Sequence, residues 1–311
     1  MSMLVLEGYS NVPDAARGSA MALGNFDGVH RGHQGLISLA VEKARDLNVP
    51  AAVMLFEPHP REYFKPDEAH FHLTSLPQKL IELEKLGINL AVVIPFDKAF
   101  ATLPAEDFIA RVLVQALGIS HVVIGYDFFY GAGRKGTPDL MWRAGEELRF
   151  GVSVLAPVAH DGEVVSSSGI RLKLAQGDVK GAAEGLGRNW RVAGQVVGGA
   201  KRGTGMGFPT ANVPMPRGTS LGHGIYAVRA HVDGQVHAAA AYLGTRPTFD
   251  NGMPVLEVFL FDFDGDLYGH TMEVEFVAHI REDRKFDSAE ALVAQMQADC
   301  VEARKILDAA A

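Results

Sequence analysis

The sequence predicts an α/β protein of two domains: a parallel sheet with helices over residues 1–186, and a small antiparallel β-barrel with a terminal helix over residues 187–311. Three observations predict this division. Near-continuous apolar runs alternate with amphipathic stretches in the first half, which is typical of βαβ units. Alternating strands separated by turn residues fill the second half. A Gly-rich segment, residues 185–189, lies between the two patterns.

The first half carries short apolar runs that predict the strands of a parallel sheet, because such strands are buried on both faces. These runs are residues 19–26, 51–56, 90–96, 121–128 and 152–159. The stretches between the runs place apolar residues at helical spacing. We therefore predict helices over residues 34–47, 75–86, 105–117 and 138–149.

The second half carries alternating strands that predict a barrel, at residues 191–197, 224–232, 237–243, 256–263 and 271–280. Turn signals separate them, among them Asp233-Gly234 and Asp264-Gly265, and the latter has the sequence of a short hairpin. A last helix is predicted to start at Asp287, which would form a capping box with Glu290, and to run to about Leu307.

The composition is that of an ordinary globular protein. Of all residues, 48% are hydrophobic and 21% charged, and the net charge is −8, so a nucleic-acid partner is not expected. Cys300 is the single cysteine, which excludes an intrachain disulfide, and its position on an apolar helical stripe predicts a core residue. The N-terminus has no secretory signal and no apolar run reaches a membrane span, so we expect a cytoplasmic protein without a membrane partner. A homo-oligomer is left open.

The first chemical motif is the string GNFDGVHRGH, residues 24–33, between a strand and a helix. Open α/β sheets bind ligands at this edge, and glycine lets backbone N–H groups approach phosphate oxygens. His30 and His33 can both donate hydrogen bonds to charge that builds on phosphorus. A Gly-rich turn alone is weak evidence, and such a histidine pair can instead cap a helix. A metal site would need a third ligand.

This string resembles the H-x-G-H signature of the nucleotidyltransferase superfamily, and its longer form resembles the FAD synthetase domain. The resemblance implies a Rossmann-like domain in which His30 and His33 hold the triphosphate and stabilise the transition state. It extends to FEPHP at residues 56–60, to residues 125–136 and to residues 165–171. Arg171 is implied as a further catalytic residue. The implied nucleotide contacts are Gly24, Asn25, Phe26, Asp27, Gly32, Asp127, Arg134, Ser166 and Ser167, and the implied flavin contacts are His59 and Phe128. Phe129 stands where the family often has a basic residue.

The second chemical motif is GTGMGFPTAN, residues 203–212, preceded by Lys201 and Arg202. It lacks the G-K-[ST] of a Walker A loop, yet its glycines and the two cations could wrap a triphosphate. Thr210 and Asn212 offer oxygen ligands suited to Mg²⁺. The alternative is a Gly-rich hairpin loop without a ligand.

This second motif resembles the P-T-A-N motif of riboflavin kinases, and the resemblance continues at residues 244–249, 256–258 and 262–269. It implies that Thr210 and Asn212 bind Mg²⁺ with ATP and that Glu257 is the catalytic base. It also implies nucleotide contacts through Lys201, Gly203 and Gly207, and a flavin contact through Arg281. Glu257 could instead be an outward-facing strand residue. The sequence departs from the family at Thr204, Tyr242 and Phe259.

Together the motifs resemble those of prokaryotic bifunctional riboflavin kinase/FAD synthetases. This implies phosphorylation of riboflavin to FMN in the C-terminal domain and adenylylation of FMN to FAD in the N-terminal domain, both with ATP. Two alternatives stay open at this point. One is a FAD synthetase with a kinase-inactive, flavin-binding barrel. The other is a nucleotidyltransferase for another small phosphorylated substrate.

Overall fold

The computed structural model describes residues 3–160, 162–198, 208–245 and 254–310. The chain divides into two compact units. Unit 1 comprises Met1–His70 and Thr74–Ser166, and unit 2 comprises Phe71–Leu73 and Ser167–Ala311. Residues 167–186 thus cluster with the second unit, and the domain boundary after residue 186 stays a prediction.

Unit 1 contains a parallel sheet of six strands in the order β1-β4-β3-β2-β5-β6. The strands are β1 (Leu4–Glu7), β2 (Ala20–Leu23), β3 (Ala51–Glu57), β4 (Leu90–Pro95), β5 (His121–Gly125) and β6 (Gly151–Leu155). The order runs outward from β2 first to one side and then to the other. The carboxyl end of β2 is therefore at the switch point where open α/β sheets bind ligands.

Helices cover both faces of this sheet: α1 (Arg31–Leu47), α2 (Pro60–Phe64), α3 (Leu76–Lys85), α4 (Lys98–Ala101), α5 (Ala105–Asp107) and α6 (Pro138–Leu148). A π-helical segment, Phe108–Ala116, continues α5. Met21 and Leu23 of β2 belong to the core on one face, while Ala20 and Ala22 belong to the core on the other. This two-sided burial is the reason that the strand is apolar throughout.

A two-stranded hairpin, β7 (Ala159–His160) and β8 (Glu163–Val164), precedes two helices of unit 2, α7 (Ser167–Ala175) and α8 (Val179–Leu186). The antiparallel sheet of unit 2 follows in the order β10-β13-β12-β11-β14-β9. Its strands are β9 (Arg191–Gln195), β10 (Ala211–Pro214), β11 (Gly224–Val232), β12 (Gln235–Thr245), β13 (Pro254–Leu260) and β14 (Thr271–Arg281). An antiparallel bridge between Val197 and Asn212 brings the two edges together, so the barrel is nearly closed. The predicted fold class is confirmed.

The terminal helix α9 (Ala289–Ala309) packs Ala303 and Leu307 against the outside of the barrel. Its N-cap is Ser288, whose side chain accepts a hydrogen bond from Ala291 N, so the predicted start at Asp287 is wrong. Cys300 packs beside this apolar cluster, and burial raises the pKa of its thiol to about 11. The prediction that Cys300 is a core residue is therefore correct only in part, because the side chain is half-buried at the edge of this cluster.

The two Asp-Gly turn signals have different outcomes. Asp233-Gly234 joins β11 to β12 in a two-residue hairpin, with φ angles of 50° and 76°. Asp264-Gly265 lies between β13 and β14, which are not neighbours in the sheet. The predicted short hairpin at Asp264-Gly265 is therefore wrong, because the chain crosses here to a distant strand. No helix in the described ranges is long and apolar enough to cross a membrane.

Candidate active sites

The loop from β2 to α1 is held in one conformation by its surroundings. Phe26 and Val29 have φ angles of 49° and 42°, which cost non-glycine residues free energy. Both side chains are fully buried. Gly28 N donates to Thr74 Oγ1 at 3.0 Å, and Thr74 N donates to Asp27 Oδ1 at 3.2 Å. These bonds, made by buried groups, tie the loop to the start of α3 and give Asp27 a positioning role.

The two histidines of the motif lie together at the N-terminus of α1. His30 is the N-cap, and its Nδ1 accepts a hydrogen bond from His33 N at 3.3 Å. A neutral His30 therefore carries its proton on Nε2. The two rings stack with centroids 3.6 Å apart. A Cβ at Gly32 would lie 3.1 Å from the His30 ring, so a larger residue here would push against that ring.

His33 is electrostatically unusual. Burial, followed by the nearby charges of His30 and Lys79, holds its pKa well below the ordinary value of 6.5. The ring is therefore neutral at pH 7. Its Nδ1 is buried and has no hydrogen-bond partner in the described residues, and the same holds for Oδ1 of Asn25. Since buried polar atoms are normally paired, these two atoms are available to form hydrogen bonds with a bound group.

The other predicted residues of unit 1 follow β3 and β5. His59 caps α2: its Nδ1 accepts from Arg61 N at 3.1 Å, while its ring stacks on His70. Phe128 stacks on Tyr130 with centroids 5.7 Å apart. The guanidinium of Arg134 lies 5.3 Å from the ring centroid of Phe129. Two predicted nucleotide contacts, Asp127 and Ser166, are exposed at the surface of unit 1.

Two residues predicted for the adenylyl-transfer site belong to unit 2. Ser167 is the first residue of α7, and Arg171 lies one turn later. Arg171 Nε donates to the carbonyl oxygen of Phe71 at 2.6 Å. Arg171 thus fixes the segment Phe71–Leu73 to α7 within this unit.

A polar row in unit 2 brings together the residues predicted for the second reaction. Asn212 of β10 and Tyr242 of β12 lie directly opposite Glu257 on the two sides of β13. Thr210 Oγ1 is 3.5 Å from Glu257 Oε2. A hydroxyl, an amide and a carboxylate therefore share one face.

This donor set fits Mg²⁺, which prefers oxygen and usually takes one or two protein ligands together with substrate phosphates. In the ranges that the structure describes, no group of three or more His, Cys, Asp or Glu residues could hold a metal ion. A site built largely by protein carboxylates or imidazoles is therefore not found in those ranges.

The remaining predicted residues of unit 2 have other partners. Arg281 makes three hydrogen bonds of 2.7–3.2 Å to the buried Asp299 of α9. Tyr242 donates to Asp283 Oδ2 at 2.9 Å, and Phe259 packs against Phe208. Lys201, Gly203, Thr204 and Gly207 lie outside the described residues.

Sequence reasoning missed one charged residue near the histidines. Lys79 is 2% exposed and lies on the buried face of α3. A signal was available, because Leu76, Leu80 and Leu83 form an apolar stripe at helical spacing in which a lysine is out of place. Thr74, which anchors the β2–α1 loop, carries no comparable signal.

Comparison with protein families gives two matches on this chain. The model of the FAD synthetase family matches residues 12–169, and the model of the riboflavin kinase family matches residues 186–307. The two matches contain the β2–α1 loop and the polar row of β10 and β13, respectively.

Several relatives are similar over nearly the whole chain. A protein of Pseudomonas fluorescens is 38% identical over 305 residues, covering 98% of both chains. One of Bacillus subtilis is 37% identical over 292 residues, covering 92% of this chain and 91% of its own. Both are named bifunctional riboflavin kinase/FMN adenylyltransferase. A crystal structure from Streptococcus pneumoniae, described as a macrolide-efflux protein, has a TM-score of 0.87 at 30% identity and covers 98% of this chain and 99% of its own. The description of this structure differs from the names of the two relatives, while its fold is shared with this chain.

Proposed function

Because the chain belongs to the family of bifunctional riboflavin kinase/FMN adenylyltransferases, we propose how its two reactions are divided between named residues. The chain phosphorylates riboflavin to FMN and adenylylates FMN to FAD. The presence of both family domains favours this over an adenylyltransferase with an inactive barrel. We assign FAD formation to the β2–α1 loop and FMN formation to the row around Glu257. The observation that carries the first assignment is the stacked His30–His33 pair, with unpartnered polar atoms beside it in the described residues.

In FAD formation a phosphate oxygen of FMN attacks the α-phosphorus of ATP, and the bond to pyrophosphate breaks. His30 offers a Nε2–H donor to the phosphate oxygens, since its Nδ1 is used by the helix. The N-terminus of α1 adds backbone N–H groups and a positive partial charge. His33 and Asn25 gain hydrogen-bond partners when the nucleotide binds. No covalent intermediate with the protein is needed for such a displacement.

The remaining assignments follow the motifs. We propose Arg171 as a further catalytic residue of this step. We propose nucleotide contacts through Gly24, Phe26, Asp27, Gly32, Asp127, Arg134, Ser166 and Ser167, and flavin contacts through His59 and Phe128. In unit 2 we propose nucleotide contacts through Lys201, Gly203 and Gly207, and a flavin contact through Arg281. A cytoplasmic location is proposed as well, since both reactions consume ATP.

In FMN formation Glu257 accepts the proton of the ribityl 5′-hydroxyl while that oxygen attacks the γ-phosphorus, and ADP leaves. The position of Glu257 opposite Asn212 and Tyr242 in the sheet supports this role. Thr210 and Asn212 would hold Mg²⁺, which neutralises charge on the ATP phosphates when it is bound. General-base catalysis of this kind contributes roughly 100- to 10,000-fold to the rate.

The assignment is tested by chromatography of flavin products. The protein is incubated with ATP and Mg²⁺ together with either riboflavin or FMN. We expect FMN and FAD from riboflavin, and FAD from FMN. The double variant His30→Ala/His33→Ala should form FMN but no FAD, while Glu257→Gln should form FAD from FMN but no FMN from riboflavin.

Each of these variants is the folding control for the other, and His223→Ala, at an exposed histidine of unit 2, should change neither reaction. Loss of FMN formation in the folded histidine variant would contradict the division. An unchanged kinase rate in Glu257→Gln would remove Glu257 as the base.

A further inference from the structure

Lys79 is a buried cation without an ion-pair partner in the described residues. It occupies a core-facing position of α3 beside Leu80 and Leu83, and only 2% of it is exposed. Its backbone N–H donates to Ser75 O at 2.9 Å. In the described part of the chain its ammonium has neither a hydrogen-bond acceptor nor an ion-pair partner. Burying such a group costs several kcal/mol unless a counter-charge is supplied.

The β2–α1 loop and the start of α3 bring polar groups to the region of Lys79. The bonds that Thr74 makes to Gly28 and Asp27 hold the start of the Lys79 helix, α3, against the β2–α1 loop that carries the histidines. Burial, then His30 and then Lys79 lower the pKa of His33. Ser75 caps the N-terminus of α3, where the helix dipole is positive. Asp27, the acidic residue of the β2–α1 loop, directs Oδ1 to the Thr74 N–H. An anion brought to this place would therefore meet an ammonium, two imidazoles and two helix N-termini.

We propose that Lys79 is a further nucleotide-binding residue, whose ammonium neutralises the phosphates of ATP and of the pyrophosphate that leaves. An ammonium is a compact point charge that suits phosphate oxygens. The loop tied to Thr74 keeps α3 beside the histidines, so the charge is preorganised. This inference rests on the proposed assignment of FAD formation to the β2–α1 loop.

A lysine that only stabilised the fold would have different hydrogen-bond partners and a different effect when replaced. Its three N–H donors would be satisfied by carbonyl or carboxylate oxygens, and its removal would destabilise the fold. Lys79→Met keeps a long apolar stem and removes the charge. Because the charge has no ion-pair partner in the part of the chain that the structure describes, this variant should have an unchanged or higher melting temperature without ligand.

The experiment compares Lys79→Met with Lys85→Met in the full chain. Lys85 ends the same helix, is exposed, and pairs with Glu82 at 2.8 Å. Calorimetric titration with inorganic pyrophosphate should show binding weakened roughly 10- to 100-fold in Lys79→Met. The KM for ATP in FAD formation should rise by a similar factor. An NMR titration should show the pKa of His33 moving up, while Lys85→Met should match the wild type in all readouts.

The outcomes separate this inference from the proposed function. If the wild type forms no FAD from FMN and ATP, the proposed function fails. If the wild type forms FAD but Lys79→Met binds pyrophosphate and ATP as the wild type does, only the Lys79 inference is overturned. A Lys79→Met protein that does not fold, or that melts several degrees lower, would assign Lys79 to the scaffold and overturn the inference in the same way.

Discussion

Units 1 and 2 each bury charged side chains, and Glu275 of unit 2 and Lys79 of unit 1 differ in the partners that they have in the described residues. In unit 2, Glu275 accepts a hydrogen bond of 2.8 Å from Asn189 and pairs with Arg191 at 2.6 Å, Arg229 at 3.3 Å and His231 at 3.1 Å. In unit 1, the ammonium of Lys79 has no ion-pair partner in the described residues, and the buried His33 is held neutral. A network in which the buried charges are paired stabilises the fold. A buried charge without such a partner is available to interact with an anionic ligand.

The pKa shifts report the same difference. Burial would raise the pKa of Glu275, but the hydrogen bond from Asn189 and the charges of Arg191 and His231 hold it below its ordinary value. For His33, burial and the neighbouring charges act in one direction, and the pKa falls. Folding therefore favours the charged form of Glu275 and the neutral form of His33.

The largest expected effect comes from opening the network of unit 2. Glu275→Gln leaves the cations without their shared carboxylate and should lower the free energy of unfolding by about 2–3 kcal/mol. The measurement is urea denaturation followed by Trp190, which stacks on Phe276, in a Trp142→Phe background. Glu273→Gln is the matched control, because Glu273 pairs with Arg191 at 2.8 Å but is more exposed. Its cost should stay below about 1 kcal/mol. Equal losses of unfolding free energy in the two variants would contradict the special role of Glu275 in this network.

A smaller effect should follow acidification from pH 7 to pH 5. The unfolded chain binds a proton at His33 near its ordinary pKa of 6.5, while the native state does not. Unit 1 should therefore lose stability as the pH falls below about 6.5, by at most about 1.4 kcal/mol per pH unit for this group. The lowered pKa of His121, caused by burial and then by Lys43, adds a loss of the same sign.

Glu275 should not contribute in that range. Its folded pKa lies below the ordinary 4.5, so its stabilisation is complete above about pH 4.5 and is lost only as the pH falls through the folded value. Calorimetry at a series of pH values should show a smaller slope for His33→Asn than for the wild type. His223→Asn should keep the wild-type slope. An identical slope in His33→Asn would show that His33 is not held neutral.

The smallest effect concerns the bond that ties the β2–α1 loop to α3. Thr74→Val keeps the shape of the side chain and removes the acceptor of the Gly28 N–H, at a cost of about 1–2 kcal/mol. FAD formation should fall because the loop loses its fixed conformation, while FMN formation should not change. Thr102→Val, at an exposed threonine whose Oγ1 donates to Lys98 O, is the control. Unchanged FAD formation in Thr74→Val would show that this bond does not position the histidines.

The sequence predicted the features that repeat or that depend on near neighbours. The five apolar runs correspond to β2–β6 because strands buried on both faces need apolar residues throughout. The placement of His30 and His33 at a helix start was also predicted, since it needs only the adjacent strand and helix. Four of the described strands were missed. β1 and β10 are four residues long and lie at sheet edges, and β7 and β8 are two residues long. Short edge strands leave little pattern to detect.

Contacts between residues far apart in the sequence could not be predicted from local sequence patterns. Nothing near Arg281 indicates that Asp299 will hold its guanidinium, because the pairing forms only when α9 packs on the barrel. The Asp264-Gly265 turn has a hairpin sequence, yet strand order is decided by the whole barrel. Lys79 differs from these residues, because a lysine in an apolar stripe can be recognised in the sequence. Its role could not be predicted, because it depends on the histidines near α3.

During synthesis of the chain, the segment Phe71–Leu73 is made well before the residues that form hydrogen bonds with it. Its carbonyl groups accept hydrogen bonds from Arg171 and from the indole of Trp190, the latter 117 residues further on. At roughly 5–20 residues per second, a ribosome would need about 6–23 s to make the residues between Leu73 and Trp190. Unit 2 therefore begins with a piece that is made early and waits for its partners. A fragment starting at residue 187 would leave the Trp190 N–H without this acceptor.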